Sequence, residues 1–249
     1  MDIEAGVLSA LTLGFLLGLK HATDADHVVA VSTIVSESRN IWRGLWIGGS
    51  WGLGHTTPLL VIGTLILIFK ETVLDKYESI AHFLEFGVAL MLVFLGVQVF
   101  WKMATGQLHL HQHVHDGGSH VHIHSSHDQK NEISKESSHS IFKFGKPHFR
   151  LKSFTIGIVH GLAGSAAVML LLLPKIENFW IGIGYLLMFG IGTVLSMSAI
   201  TLVLGLPFSV SRGFKNLNMA VSGIAGMASI LIGFMLTSDI FFNTTLMPF

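Results

Sequence analysis

The chain has 249 residues, of which 51% are hydrophobic and only 12% are charged. A soluble domain carries roughly 25% charged residues, so this composition excludes an ordinary soluble protein and indicates membrane spans. The absence of cysteine excludes disulfide frameworks and thiolate metal sites. The net charge of zero gives no basic surface for nucleic acid.

Six apolar segments are long enough to cross a hydrocarbon core as helices, which requires about 20 residues each. The first segment follows an acidic N-terminus without the positive charges of a signal peptide, so we expect it to be retained. We therefore predict an all-α polytopic membrane protein with six transmembrane helices. The predicted spans are Gly6–Val35, Leu45–Phe69, Ala81–Met103, Ser153–Leu173, Phe179–Leu204 and Met219–Ile240.

Lysine and arginine are distributed unevenly between the predicted loops. If the N-terminus is outside, eleven of them fall at the inside loops and three at the outside loops. Positive loops favour the cytoplasmic side, so we predict a multi-pass plasma-membrane protein with its N- and C-termini outside. Seven of the eleven lie in or beside one long loop between the third and fourth spans, which this orientation places in the cytoplasm.

Short matches between the two halves indicate an internal repeat. They pair residues 18–21 with 157–160, 52–55 with 190–193, and 86–89 with 225–228. Because each repeat holds an odd number of spans, the second must be inverted, as in many secondary transporters with a site at the membrane centre. We predict a 3+3 organisation: a first repeat at 1–105, a cytoplasmic loop at 106–150 and an inverted second repeat at 151–249. Chance similarity among glycine-rich apolar helices is the alternative.

The first predicted span carries four ionisable residues near its middle, namely His21, Asp24, Asp26 and His27. Each charged residue at a helix centre costs about 2.5–3.5 kcal/mol on insertion scales. Such a cluster persists only where the groups line a cavity, pair with one another or bind an ion. In a regular helix His21, Asp24 and His27 share a face. Asp26 points elsewhere, so either it orients a ligand from behind or the helix is interrupted there.

Further polar residues lie at similar depth in other spans. His55 lies in the second predicted span and completes a candidate metal site with the four residues above. Secondary candidates across the pseudo-two-fold axis are His160, Ser165 and Thr193. Imidazole with carboxylate suits nickel, cobalt, copper or zinc. A proton pathway and a structural polar network are the alternatives.

The long loop is rich in histidine. Alternate residues of an extended strand share a face, so the spacing predicts two multidentate imidazole rows. Such a composition is typical of metal binding, and the low apolar content predicts a largely disordered loop without metal. We interpret it as a metal buffer, sensor or hand-off arm, with a solvated linker as the alternative. The histidines are His109, His111, His113, His115, His120, His122, His124, His127 and His139.

These motifs resemble those of the nickel/cobalt transporter (NicO-type) family. Residues 21–27 resemble its H-x4-D-H signature, and Leu53-Gly-His-Thr-Thr57 resembles its L-G-H-S/T motif. The resemblance covers essentially all six predicted spans, more weakly in the second half. There, residues 160–165 read His-Gly-Leu-Ala-Gly-Ser where the eight-span importers have an acidic Asp-Thr-Ala-Thr-Glu type motif. The chain therefore looks like the shorter urease-accessory-type transmembrane branch.

The resemblance implies a role for specific residues and partners. It assigns nickel or cobalt binding to His21, Asp26, His27 and His55, with Asp24 beside them. We expect a secondary permease for Ni²⁺, with Co²⁺ as the second metal, rather than an enzyme, and no cofactor beyond the transported ion. Its partners would be the metal ion, the lipid bilayer and a cytoplasmic nickel chaperone or urease-maturation protein. The sequence does not fix the oligomeric state.

Two other functions fit the same residues. Efflux would use the same site, with the His-rich loop collecting cytoplasmic metal. An accessory protein would instead deliver nickel to a urease-type enzyme by direct contact through the loop. An intramembrane hydrolase is disfavoured because the sequence contains no H-E-x-x-H motif.

Overall fold

A computed structural model describes residues 3–36, 41–105, 109–115, 118–124, 150–163, 170, 172–211, 215–242 and 244–246. The helices in these residues are α1 Ile3–His21, α2 Ala25–Val35, α3 Ile41–Phe69, α4 Glu71–Ala104, α5 Leu151–Gly161, α6 Phe179–Val210 and α7 Lys215–Phe242. A 3₁₀ turn covers Leu173–Lys175. Strands β1 His109–His115 and β2 Gly118–His124 form an antiparallel hairpin. The all-α prediction is therefore confirmed for the helical body. It did not include this hairpin.

Four helices, α3, α4, α6 and α7, are each long and apolar enough to cross a membrane. The pair α1 and α2 passes the same test as one bent span, which gives up to five spans in the described residues. These correspond to five of the six predicted spans. The remaining one, Ser153–Leu173, begins in α5, which ends at Gly161. Residues 164–169 and 171 lie outside the described part of the chain, so the sixth span stays a prediction.

The bend between α1 and α2 results from a local change in backbone hydrogen bonding. The amides of Thr23 and Asp24 bond to the carbonyls three residues earlier, those of Lys20 and His21, instead of four. Asp24 is then extended and is the N-cap residue of α2. The two helices meet at 56°. The interruption left open by the sequence is thus present, and it places Asp26 and His27 in the first turn of a new helix.

Hydroxyl groups of α6 bond to the end of α1. Because Thr23 bonds to Lys20, the Leu19 carbonyl lacks its usual helical partner and accepts from Ser196 Oγ at 3.1 Å. The Gly18 carbonyl accepts from Thr193 Oγ1 at 3.3 Å. These bonds fix the end of α1 against α6 next to the bend.

Glycines allow two pairs of helices to approach very closely. A Cβ atom at Gly18 or Gly192 would overlap a backbone carbonyl across the α1–α6 contact, and one at Gly54 or Gly157 would do so across the α3–α5 contact. The partner carbonyls belong to Phe189, Phe15, Phe154 and Trp51 respectively. The two contacts use positions that correspond in the repeat. Phe15 and Gly18 correspond to residues 154 and 157 at an offset of 139, and Phe189 and Gly192 correspond to residues 51 and 54 at an offset of 138.

Two apolar cores surround these contacts. One lies around α2, where Ala30 and Val31 pack with Trp51 and Met197. The other joins α3 and α6 through residues such as Leu59 and Leu186. Many large apolar side chains, Phe83 and Phe234 among them, are exposed, as expected of surfaces that face lipid.

The close approach at Gly157 predicts a position-specific effect on stability. Gly157→Ala should lower the melting temperature in detergent, because its Cβ would meet the Trp51 carbonyl and overpacking costs about 1–3 kcal/mol. The expected fall is about 2–4 °C for each kcal/mol in a chain of this size. Gly87→Ala is the matched control, since a Cβ there meets nothing within 4 Å. Equal melting temperatures for the two variants would contradict the packing argument.

Candidate metal centre

Four helices bring the intramembrane histidines to one buried position. His21 ends α1, His27 lies in the first turn of α2, His55 lies within α3 and His160 lies in the last turn of α5. His27, His55 and His160 are 0% exposed, and His21 is 4% exposed. Side chains separated by up to 139 residues in the sequence therefore share one interior site.

The first group of candidate ligands consists of His21, His27 and His55. One nitrogen from each ring lies within 4.8 Å of the others. The Nε2 atoms of His21 and His55 are 2.9 Å apart. Two nitrogens bound at about 2.1 Å to one ion, at right angles, would be about 3.0 Å apart. The distance between the two Nε2 atoms, which form a hydrogen bond in this structure, is therefore also suitable for two ligands of one metal ion.

Each aspartate of the first motif holds one of these rings. His21 Nδ1 donates to Asp24 Oδ2 at 3.0 Å, and His27 Nδ1 donates to Asp26 Oδ1 at 2.9 Å. Because a carboxylate accepts, the proton of each ring is on Nδ1, and Nε2 carries the lone pair. A carboxylate that fixes the tautomer of a metal-binding imidazole is a recurrent arrangement in metal sites. His27 Nε2 is buried and has no hydrogen-bond partner in the described residues.

A second group consists of Asp26, His27 and His160, whose candidate ligand atoms also lie within 4.8 Å of one another. His160 Nε2 donates to Asp26 Oδ2 at 2.9 Å. The Asp26 carboxylate therefore bridges two imidazoles with its two oxygens. His160 Nδ1 is buried without a hydrogen-bond partner in the part of the chain that the structure describes. The two groups share His27.

Charge distinguishes the two aspartates. Asp24 is compensated by Lys20, whose Nζ lies 3.0 Å from Asp24 Oδ1. Asp26 is 2% exposed, and its ion-pair partners among the described residues are the imidazoles of His27 and His160. A buried carboxylate without a cation is costly. A divalent cation bound beside Asp26 would supply that charge.

Two aromatic residues that sequence analysis missed pack against the histidines. The Trp51 ring centroid lies 5.6 Å from that of His27 and 5.4 Å from that of His160. The Phe189 ring centroid lies 5.5 Å from that of His21. Trp51 precedes His55 by four residues, which places both on one helix face. The two aromatics are 138 residues apart, so the repeat offset could have found Phe189.

The remaining predicted residues have other positions. Thr193 is buried, but its hydroxyl bonds to the carbonyls of Gly18 and Phe189, and it joins neither group. Ser165, His127 and His139 lie outside the described residues. The other loop histidines lie in the β1–β2 hairpin. Its register places His109 opposite His124, His111 opposite His122, His113 opposite His120, and His115 opposite Gly118.

Comparison with known proteins places the chain in a family. The urease accessory protein UreH of Bacillus sp. (strain TB-90) is 38% identical over 231 residues, which is 92% of this chain and 91% of that protein. The chain belongs to the UreH family of urease accessory proteins. The resemblance to the urease-accessory branch, predicted from the motifs, is thereby confirmed.

More distant relatives of this UreH-family chain are of two kinds. The Arabidopsis thaliana chloroplast protein FOR GROWTH AND FERTILITY 2 is 26% identical over 93% of this chain, which spans 59% of that protein. The high-affinity nickel transport protein of Cupriavidus necator is 30% identical over 78 residues, 29% of this chain and 21% of that protein. No protein-family profile and no solved structure gives a significant match.

The position of Asp26 predicts a loss of metal affinity on substitution. In Asp26→Asn a single amide oxygen replaces the two carboxylate oxygens that now accept from His27 and His160. Loss of such an orienting carboxylate typically weakens metal binding about 10–100-fold. Ni²⁺ can serve as the probe, and its binding can be measured by the quenching of Trp51 fluorescence. The Trp51→Phe variant identifies which part of the fluorescence comes from Trp51. Asp75→Asn, on an exposed position of α4, is the control. Unchanged quenching in Asp26→Asn would refute the orienting role.

Proposed function

We propose that this protein is a secondary permease for Ni²⁺, with Co²⁺ as a second substrate. The observation that carries the proposal is the group of three buried imidazoles, His21, His27 and His55. Carboxylates hold two of these rings with Nε2 available. The relatives add support, because one is named a urease accessory protein and another a nickel transport protein. These names describe accessory and transport proteins, in agreement with the expectation that the chain is not an enzyme.

The donor atoms favour late first-row metals among divalent ions, and nickel is the metal named for one relative. Imidazole nitrogen suits late first-row metals, whereas Ca²⁺ and Mg²⁺ prefer oxygen ligands. Affinity of a nitrogen site rises from Co²⁺ to Ni²⁺ in the ordinary order of divalent metals. The chain has no cysteine to select softer ions. A site of three imidazoles with one uncompensated carboxylate nearby therefore fits Ni²⁺ as cargo.

The membrane potential is sufficient as a driving force for entry. Moving one charge through 100 mV is worth about 2.3 kcal/mol, so a divalent ion gains about 4.6 kcal/mol. The sequence has no phosphate-binding glycine motif followed by lysine, and this mechanism requires no ATP. Ligating imidazoles must be unprotonated, so protons compete with the metal and uptake should decline as the external pH falls.

The matched helix contacts support the predicted 3+3 inverted repeat. In such a repeat the first helix of one half packs on the second helix of the other, and the reverse contact uses equivalent positions. The contacts of Gly18 with Phe189 and of Gly157 with Trp51 have this relation. His21 and His160 are then equivalent residues, one from each half. The site would lie on the pseudo-two-fold axis at the membrane centre.

The proposed orientation gives the histidine hairpin a role on the cytoplasmic side. With both termini outside, the loop at 106–150 is cytoplasmic, as the excess of positive residues favours. The hairpin register pairs three histidine positions across the strands, and alternation puts these positions on one face. Opposed residues have Cβ atoms about 4.5–5.5 Å apart. We propose that this face binds metal released from the membrane site and passes it to a nickel chaperone or urease-maturation protein.

Replacement of His21 should abolish transport. In proteoliposomes, His21→Ala should reduce Ni²⁺ accumulation to the level of empty vesicles, because it removes the ring that lies 2.9 Å from His55. His82→Ala, at an exposed histidine of α4, should transport at the rate of the unaltered protein. Monodisperse elution of both variants in detergent checks folding. Normal accumulation by folded His21→Ala would overturn the proposed function.

Deletion of the hairpin separates transport from delivery. A variant lacking residues 109–124 should keep its initial rate of Ni²⁺ uptake in vesicles, because the buried site lies in the helical body. In cells, the same deletion should lower urease activation at limiting nickel if the hairpin hands metal on. Loss of vesicle uptake would instead make the hairpin part of the transport path.

The direction of transport requires a separate measurement. Uptake compared between inside-out and right-side-out vesicles distinguishes import from efflux.

A further inference from the structure

The second group of ligands, Asp26, His27 and His160, is connected to the first through one imidazole. Its carboxylate accepts one hydrogen bond from each ring, both of 2.9 Å. All three residues are buried, and both histidines are 0% exposed. Two ring nitrogens, His27 Nε2 and His160 Nδ1, have no hydrogen-bond partner in the described residues. A buried polar atom without a partner is uncommon in a protein interior, and each of these nitrogens has a lone pair available for a metal ion or a proton.

We propose that Asp26, His27 and His160 form a second ion position. The ion passes between the two positions by moving from one ring nitrogen of His27 to the other. This inference rests on the proposed transport function. At the first position the ion binds His27 Nε2, and Asp26 holds the proton on Nδ1. At the second position the ion binds His27 Nδ1, His160 Nε2 and a carboxylate oxygen of Asp26.

The proton balance of this exchange closes within the site. An ion at the second position replaces the protons on His27 Nδ1 and His160 Nε2, which now bridge to Asp26. Each ring takes up a proton at its other nitrogen, Nε2 of His27 and Nδ1 of His160, which are the atoms without partners. Both rings stay neutral, and no net proton is gained or lost. Return to the first position reverses these changes. An ion there also displaces the proton that His55 Nε2 donates to His21 Nε2, and His55 Nδ1, which is buried without a partner in the described residues, takes up that proton.

Sharing of His27 makes the two positions mutually exclusive. A neutral imidazole has one lone pair for a metal and one N–H, so only one position can have its full ligand set at a time. Two divalent ions separated by little more than a ring width would also repel each other strongly in a medium of low dielectric constant. The site therefore holds one ion, which moves by a single short step.

The second position adds one ligand from the other half of the chain. His21 and His55 of the first position lie in α1 and α3, whereas His160 of the second lies in α5. The ring of His27 lies between them, with its centroid 4.5 Å from that of His21, 4.8 Å from that of His55 and 4.3 Å from that of His160.

His160→Gln tests the second position in the full-length protein. Glutamine keeps an N–H that can donate to Asp26 but lacks the imidazole that binds metal. The probe is Ni²⁺, and binding is followed by the Trp51-dependent fluorescence, since Trp51 lies beside His27 and His160. The variant should still bind Ni²⁺ at the first position, while uptake into proteoliposomes falls by about tenfold or more.

The outcomes are distinct. Uptake by His160→Gln at the unaltered rate, with His21→Ala inactive, would overturn the second position and leave the proposed function intact. Normal uptake by His21→Ala would overturn the proposed function itself. The Trp51-dependent quenching should saturate with one ion for each chain. Saturation with two ions would overturn the exclusive use of His27. Loss of Ni²⁺ binding in folded His160→Gln would make His160 a ligand of the first position and would also contradict the proposal.

Discussion

The site depends on one interaction, the Asp26 carboxylate held between two buried imidazoles. Its oxygens accept from His27 Nδ1 and His160 Nε2, each at 2.9 Å. This joins α2 to α5, two helices that are far apart in the sequence. It also leaves a negative charge in the interior that no lysine or arginine of the described residues compensates. The tautomers of both rings and the demand for a cation follow from it.

The helix break and the close glycine contacts make this interaction geometrically possible. Without the bend, Asp26 would lie on a different face of the helix from His21, as the regular helical phase requires. The bend of 56° places Asp26 and His27 at the start of α2, where a carboxylate is also favoured by the helix dipole. Gly157 and Gly54 let α5 approach α3 until backbone atoms touch. His160 is thereby brought into contact with the histidines of the first half.

The structure brings together residues that the sequence predicted as candidate ligands, in an arrangement that the sequence did not specify. The cost of charge in a membrane identified His21, Asp26, His27 and His55, and the repeat added His160. The helical-phase argument grouped Asp24 with the ligands, whereas Asp24 bonds to His21 Nδ1 and Lys20 and joins neither metal-binding group. A periodicity argument assumes a regular helix, and here the helix ends. The contact between His160 and Asp26 spans 134 residues, so no local pattern could predict it.

The bend between α1 and α2 has a consequence for hydration. Interrupting a helix within a bilayer leaves carbonyl groups without partners, and no solvent is present there to satisfy them. The hydroxyl of Ser196 bonds to the Leu19 carbonyl, which the interruption leaves without its helical partner, so α6 supplies what water would supply elsewhere. The angle of the joint therefore depends on a side chain from the other half of the chain.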